Sequence, residues 1–381
     1  MHLVDTTMFF ASEGGGVGRY LAAKHDWLAH HSAIRHTIVA PGAHDAIEQR
    51  GLVTIASPAL PALHGYRFPL RLSRWTECLV ALAPDAIEVG DPYAPAWAAL
   101  RAGQRLGVPV VGFYHSDLVR LIGARAGNWI EPTIARYVRN LYRHFDLIIA
   151  PSRYVYRKLA ALGIARLICR PLGVDTNAFH PSRRDPQLRH ELGLHPGTRL
   201  AIFAGRFARE KNLLVLLDAF KRLGPRYHLL LVGSGIELPA QSNATVLPYQ
   251  RSVEALARLV ASSDLLVHAG AQETFGLIVL EAMACGRPVV AARAGAFPEF
   301  VDDSVGALAE PHSAGSMAEA IAALYERDLE AVGAAARARV LRHFTWSRAF
   351  HLQLAAYASL LGAQRAPLAD APILELRSPS S

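Results

Sequence analysis

The chain has 381 residues, 51% of them hydrophobic, which is room for two ordinary domains with sizeable cores and excludes an intrinsically disordered chain. A formal net charge of +8 and a pI near 9.6 fit anionic partners (nucleotides, nucleic acid or an anionic membrane surface) without choosing among them. The three cysteines, Cys78, Cys169 and Cys285, lie far apart without metal-ligand spacing and read as reduced thiols of a cytoplasmic protein; no apolar run approaches the roughly 18 residues of a membrane helix, and the start Met1-His2-Leu3-Val4-Asp5 does not read as a signal peptide.

Leu3-Val4 is predicted as a first short strand. The loop Ser12-Glu13-Gly14-Gly15-Gly16-Val17-Gly18-Arg19 follows, and its glycines permit close approach of backbone to a ligand. Val17 to His30 is expected as a helix whose first N–H groups can meet phosphate or sugar oxygens. Arg19 stands where a dinucleotide fingerprint wants its third glycine, so a nicotinamide oxidoreductase is disfavoured. His36–Ala40, Val53–Ala56 and Ala86–Val89 read as further strands separated by helical or turn segments, the alternation of a parallel α/β sheet. The segment from Ser57 to Leu72 is a long loop rich in proline and aromatic residues, assigned with Tyr66 to acceptor recognition because long loops often carry binding function.

Pro109 to Asp117 reads as a buried strand whose end delivers His115 and Asp117, where open α/β sheets bind ligands. Asp117 either accepts a proton from an acceptor hydroxyl or caps the next helix. Leu118 to Asn128 and a helix from Glu131 to His144 form the most basic region, with Arg120, Arg125, Arg136, Arg139 and Arg143. Arg136, Arg139 and Arg143 share one helical face, either a solvated face or a surface for anionic lipid or a phosphorylated acceptor. Asp146–Ala150 is a strand, Pro151-Ser152 begins a helix, and Thr176 to Pro186 reads as a linker.

The second half restarts with strand Leu200–Ala204, then Gly205-Arg206-Phe207-Ala208-Arg209-Glu210-Lys211-Asn212 and a helix to Leu223. Arg206 and Lys211 emerge at a strand end before a helix N-terminus. A guanidinium fork and a mobile ammonium there suit a diphosphate. Strand His228–Val232 ends in Gly233-Ser234-Gly235; strand Thr245–Leu247, helix Val253–Ser262 and strand Asp264–His268 follow. Ala271 to Pro298 reads AQETFGLIVLEAMACGRPVVAARAGAFP. Gly276 to Cys285 is predicted as a helix capped by Thr274 or Glu273, with Leu277, Ile278, Leu280 and Ala284 toward a core. Gly286 and Pro288 stop it, and Val289–Ala291 is a strand. Glu281 lies eight residues beyond Glu273, about two turns, so both carboxylates can share a face. Two carboxylates beside an anion-attracting helix start suggest a ligand with hydroxyls next to phosphates, such as a sugar nucleotide. Helices Ser313–Arg327 and Glu330–His343 and one from Trp346 to Leu361 complete the chain.

Glu273-Thr274-Phe275-Gly276-Leu277-Ile278-Val279-Leu280-Glu281, followed by Gly286-Arg287-Pro288-Val289-Val290, resembles the E-x7-E signature of the retaining glycosyltransferases of the GT-B fold, family 4. Gly205, Arg206, Glu210 and Lys211 match the family's Gly-Arg…Glu-Lys-Gly pattern with Asn212 in place of the last glycine. Gly173-Val174-Asp175-x-x-x-Phe179-x-Pro181 resembles its interdomain connection, and Ala294 replaces one glycine of its Gly-Gly-x-Pro-Glu. The likeness spans nearly the whole chain to about residue 361 and is stronger in the second half.

The resemblance implies an α/β fold of two Rossmann-like domains facing a cleft. The expected layout is an acceptor-side domain 1–175, a linker 176–186, a donor-binding domain 187–345, a helix 346–361 crossing back to the first domain and a flexible tail 362–381. It implies transfer of a hexose from a nucleoside-diphosphate sugar, GDP-mannose or UDP-glucose, to a glycan or lipid-linked acceptor with retention of configuration. The protein would be cytoplasmic, with room for peripheral contact with an anionic membrane and no role in nucleic-acid binding. Gly15 and Gly16 would approach the donor diphosphate, as would Gly233. Arg206 and Lys211 would neutralise the departing nucleoside diphosphate, joined by main-chain N–H groups of Phe275, Gly276 and Leu277, and Thr274 would also lie in the donor site. Glu281 would bind ribose hydroxyls, Glu273 would hold the sugar, and His115 would contact it from the other domain. Asp117, Tyr66 and Arg120 are acceptor-side candidates. No Asp-x-Asp triplet occurs, so no metal-bridged leaving group is implied, and the nucleotide sugar is a co-substrate rather than a cofactor. An epimerase or phosphorylase of the same fold, or a non-catalytic surface-binding adaptor, is the competing reading.

Overall fold

A computed structural model describes residues 1–10, 15–47, 51–59, 67–69 and 71–362. Tyr66, the loop residues Ser12, Glu13 and Gly14, and the tail beyond Gly362 therefore lie outside the described residues. The chain forms two compact units: one comprises Met1–Pro151, Tyr156–Arg170 and the helix from Phe350, the other Ser152–Val155 and Pro171–Ala349. Segment 176–186 packs within the second unit, where Phe179 is buried and Arg258 holds Asp185 at 2.7 Å.

The first unit is built on eight strands: β1 (His2–Thr6), β2 (Arg35–Gly42), β3 (Ala46–Ile47), β4 (Leu52–Ala56), β5 (Ala86–Val89), β6 (Val110–Phe113), β7 (Leu147–Ala150) and β8 (Leu167–Cys169). They stand in the order β3-β4-β2-β1-β5-β6-β7-β8, parallel except for the two-residue β3. β6 and β7 are continuous apolar runs, such as Leu147-Ile148-Ile149-Ala150, buried along their length, because helices cover both faces of a parallel sheet. Helices Leu72–Ala81, Ala94–Leu106 and Leu118–Ala126 connect strands. The last of these begins on Asp117, whose carboxylate accepts from the Arg120 N–H at 3.3 Å.

The second unit repeats the plan with β9 (Arg199–Ala204), β10 (Tyr227–Val232), β11 (Ala244–Leu247), β12 (Leu265–His268), β13 (Val289–Ala292) and β14 (Gly306–Ala309), ordered β11-β10-β9-β12-β13-β14. All pairs are parallel. Its core joins Phe203, Leu229, Leu231 and Val267 of the sheet to Leu216 and Phe220 of helix Leu213–Leu223 and Ile321 of helix Ala314–Tyr325. Ser252, Ser313 and Asp328 cap the helices that follow them, each accepting backbone N–H groups that a helix start leaves unbonded. The last helix, Trp346–Gly362, starts in the second unit and passes into the first.

Candidate active site

The loops after β9, β10 and β12 meet at the carboxyl edge of the second sheet. A Cβ on Gly233 would lie 1.9 Å from the Gly205 carbonyl oxygen, and one on Gly235 2.0 Å from that of Phe207. These glycines therefore let two strand-end loops run backbone against backbone, with Phe207 and Gly235 in a parallel bridge. Arg206 extends from this platform, more than half exposed, and pairs with Glu210 at 2.9 Å. The short turn Arg209–Lys211 ends at Asn212 in the left-handed region, φ 52 and ψ 42. Asn tolerates that conformation better than other residues with a side chain, and its Nδ2 donates to the Ala269 carbonyl at 3.0 Å. The residue that departs from the family pattern thus keeps its backbone shape and ties the Lys211 turn to the end of β12.

Lys211 forms a short ion pair with Glu273 Oε1. Burial alone would push the Glu273 carboxyl up, but Lys211, His268 and, more weakly, Arg206 outweigh it and hold the carboxyl below its ordinary value. Glu273 is thus ionised at neutral pH although its side chain is only 15% exposed. Helix Leu277–Ala284 begins at Gly276, φ 83, without any side-chain cap. This corrects the expected cap on Thr274 or Glu273: the carboxylate is engaged by Lys211 instead. A Cβ on Gly276 would meet the Phe297 ring at 2.7 Å, so a glycine is required there. Gly295, at φ 59, packs on the Glu273 backbone, and Ala296 N–H donates to the Glu273 carbonyl at 3.0 Å. Ala294 is not in the left-handed region, which is why its methyl is accommodated. Phe275 is buried against Phe300, ring centroids 4.8 Å apart. The N–H groups of Phe275, Gly276 and Leu277 have no hydrogen-bond acceptor among the described residues.

Ile278 to Ala284 are all buried, while Leu277 is only half-buried. Glu281 is among the buried residues, 3% exposed, and with burial it pushes the neighbouring Cys285 thiol up to about 12. His268, absent from the expected site, closes β12 beside Glu273. Its Nδ1 accepts the Gly270 N–H at 3.0 Å and its Nε2 lies 3.5 Å from Glu273 Oε1. Burial lowers it to about 4 despite the nearby carboxylate, so the imidazole is neutral. The sequence signal available was its place at a strand's carboxyl end.

The remaining candidates belong to the first unit. Gly15 precedes and Gly16 begins helix Gly16–His31. His115 follows β6, stacked on Phe113 at 4.1 Å and tilted against Tyr20 at 4.8 Å; burial lowers it to about 3, with Lys24 adding to the effect. Asp117 is buried and engaged by the Tyr114 hydroxyl at 3.1 Å, by the Arg120 N–H and by a short ion pair with Lys158. Of its two readings, the structure shows the cap. Arg120 is exposed and 3.4 Å from Glu131. Among the described residues, no three of the His, Cys, Asp and Glu side chains come together as metal ligands, and no helix is long and apolar enough to cross a membrane.

Two parallel α/β units in one chain give the GT-B architecture, and the family matches place the chain among the glycosyltransferases. Residues 14–178 match the family described as Glycosyltransferase Family 4, and residues 198–327 match Glycosyl transferases group 1. The chain belongs to this family of glycosyltransferases. It is 29% identical over 377 residues to the GDP-mannose-dependent alpha-(1-6)-phosphatidylinositol dimannoside mannosyltransferase of Mycobacterium tuberculosis, covering 93% of this chain and 95% of that one. Among solved structures, it is similar to sucrose-phosphate synthase from Thermosynechococcus elongatus, with TM-score 0.79 and 20% identity over 95% of this chain and 100% of that one. Anabaena HepE in complex with UDP and glucose gives TM-score 0.76 at 21% identity, over 94% of this chain and 100% of that one.

Proposed function

We propose that the chain transfers a hexosyl group from a nucleoside-diphosphate sugar to a hydroxyl of a glycan or lipid-linked acceptor, with retention of configuration. The observation that carries this reading is the Lys211–Glu273 ion pair beside three backbone N–H groups with no acceptor. A cation, an ionised carboxylate and a helix N-terminus at one sheet edge suit a diphosphate flanked by sugar hydroxyls. The mannosyltransferase relative is named for GDP-mannose and phosphatidylinositol dimannoside, and HepE is described with UDP and glucose; both support this donor class.

In this reading Arg206, Lys211 and the N–H groups of Phe275 to Leu277 stabilise negative charge growing on the leaving diphosphate. Glu273 holds sugar hydroxyls and Glu281 serves the ribose. Retaining glycosidases place two carboxylates about 5 Å apart around the bond. No second carboxylate has been assigned opposite Glu273, so a same-face ion-pair course with the donor phosphate as base is preferred. No metal or cofactor is called for.

The acceptor side draws on the helix Glu131–Tyr142. Arg136, Arg139 and Arg143 lie along one exposed, shallow groove, preceded by Trp129, 78% exposed. Cations with an interfacial aromatic suit peripheral contact with an anionic bilayer.

The test is release of GDP or UDP from GDP-mannose or UDP-glucose in the presence of a lipid-linked or glycan acceptor, with and without EDTA. Turnover in both conditions with an α-configured product is expected. Lys211→Ala and Arg206→Ala should each cost on the order of 2–4 kcal/mol of transition-state stabilisation. An inverted product, or loss of turnover with EDTA, overturns the corresponding part of the reading.

A further inference from the structure

Lys211 Nζ and His268 Nε2 both approach the same oxygen of Glu273, Oε1. Among the described residues, none approaches Oε2 within hydrogen-bonding distance. From this we infer that His268 is a positioning residue, holding Glu273 by one oxygen so that the other is presented to the bound sugar. The inference rests on the donor-sugar reading of Glu273 given above.

The imidazole is fixed at every degree of freedom that matters. The Gly270 N–H donates to Nδ1 at 3.0 Å, so Nδ1 is the acceptor and the proton of the neutral ring sits on Nε2. Nε2 therefore carries the ring proton and lies 3.5 Å from Glu273 Oε1, a polar contact rather than a formed hydrogen bond. Phe203 at 5.2 Å and Phe297 at 4.8 Å wedge the ring. A Cβ on Gly270 would lie 2.7 Å from the imidazole, so the glycine also makes room for it. A leucine or phenylalanine would fill this apolar pocket without the cost of burying two ring nitrogens. What the histidine adds is a neutral polar N–H beside the carboxylate.

Phe297 in turn touches the place where a Gly276 side chain would be, so the wedged ring links the histidine to the start of helix Leu277–Ala284. A carboxylate held on one side by an ammonium and an imidazole loses rotational freedom. Its outward oxygen then meets a sugar hydroxyl with little further ordering, the kind of positioning on which rates depend steeply.

The experiment is a four-variant cycle: wild type, His268→Ala, Glu273→Gln and the double variant, assayed with GDP-mannose and UDP-glucose. His268→Ala should lower kcat by about 10²-fold, the effect of misplacing a group by about 1 Å, with KM and the Kd of free GDP or UDP nearly unchanged. In the Glu273→Gln background the same change should cost nothing further. His268→Gln, whose amide nitrogen can take the place of Nε2, should recover most of the loss. Equal proportional losses in both backgrounds, or no loss in either, overturn the inference. Carbon NMR of the Glu273 carboxyl gives a reading without turnover: its pKa should rise in His268→Ala, and an unchanged value also overturns the inference. Failure of the wild type to bind either nucleotide or to transfer any sugar would instead sink the donor-sugar reading.

Discussion

Each unit contains a lysine paired with a carboxylate near its sheet, and the two pairs could hardly be treated more differently. In the first unit Lys24, only 2% exposed, contacts Asp5 at 2.9 Å and Glu88 at 3.0 Å. Asp5 also meets His36 at 3.2 Å. Glu88 takes the Tyr20 hydroxyl at 2.9 Å and a short hydrogen bond from Tyr357 of the last helix. Burial alone would lower the Lys24 pKa, yet the two carboxylates hold it above its ordinary value. In the second unit Lys211 and Glu273 are 19% and 15% exposed, and one oxygen of Glu273 has no hydrogen-bond donor among the described residues. A sealed cluster with each charge satisfied is a structural device. A partly open one with capacity left over is positioned to receive a ligand.

The largest expected effect separates the two on stability. Lys24→Ala leaves two buried carboxylates without their cation, a loss of about 3–5 kcal/mol, and should release the last helix, which is joined to the cluster through Tyr357. Urea unfolding followed by tryptophan fluorescence checks it: Trp27, Trp75, Trp97 and Trp129 lie in the first unit and Trp346 in the second. Next comes Lys211→Ala, whose cost should fall on catalysis, about 10²–10³-fold in kcat, with a much smaller change in the urea midpoint. A stability loss equal to that of Lys24→Ala would erase the distinction.

A third effect is read from pH. Burial and the Asp5 carboxylate push Glu88 up to about 7 against the pull of Lys24. A raised carboxyl favours folding below its unfolded pKa of 4.5 and loses that contribution as pH rises through about 7. The neutral His268 has the opposite sign: its contribution is present above 6.5 and lost as pH falls toward 4. Half-buried His115, lowered to about 3, acts in the same sense. In the wild type these trends offset one another. Glu88→Gln should therefore make stability rise more steeply with pH between 4.5 and 6.5. An unchanged slope would mean that Glu88 does not titrate there.

The two regions also differ in how far the sequence reveals them. Strands such as Leu147–Ala150 and Val289–Ala292 are legible as buried apolar runs, and Glu273 and Lys211 stand in spaced motifs next to glycines. Lys24 is not legible: within a predicted helix it reads as a solvated side chain. Its partners arrive from β1 and β5, far away in the chain, so only tertiary packing reveals the cluster. β14, Gly306-Ala307-Leu308-Ala309, lacks the β-branched residues of a strand and exists because β13 pairs with it. The edge strand Leu167–Cys169 is half-buried and carries a correspondingly weak pattern. The helix start at Gly276 is legible, but its cap is not: Glu273 has the chemistry of a cap and is engaged by a lysine distant in sequence. His268 stands at a strand's carboxyl end as His115 does, but its place beside Glu273 is set by tertiary packing, and its meaning lies in the Gly270 N–H that fixes its tautomer.

The smallest expected effect concerns Asn212, which places Lys211 by backbone shape rather than by charge. Asn212→Ala keeps a Cβ in the left-handed region and loses the bond to the Ala269 carbonyl, so it should cost about 1–2 kcal/mol. Asn212→Gly loses the same bond but relieves the left-handed strain, while its freer unfolded chain works against it. The net change should stay within about 1 kcal/mol by the same magnitudes, and nearly full turnover should be kept, because the Lys211 turn retains its shape. If glycine instead lowers kcat as much as alanine does, the side-chain tether, not the backbone angle, sets the place of the ammonium. The open pair would then depend, like the sealed one, on a specific polar contact.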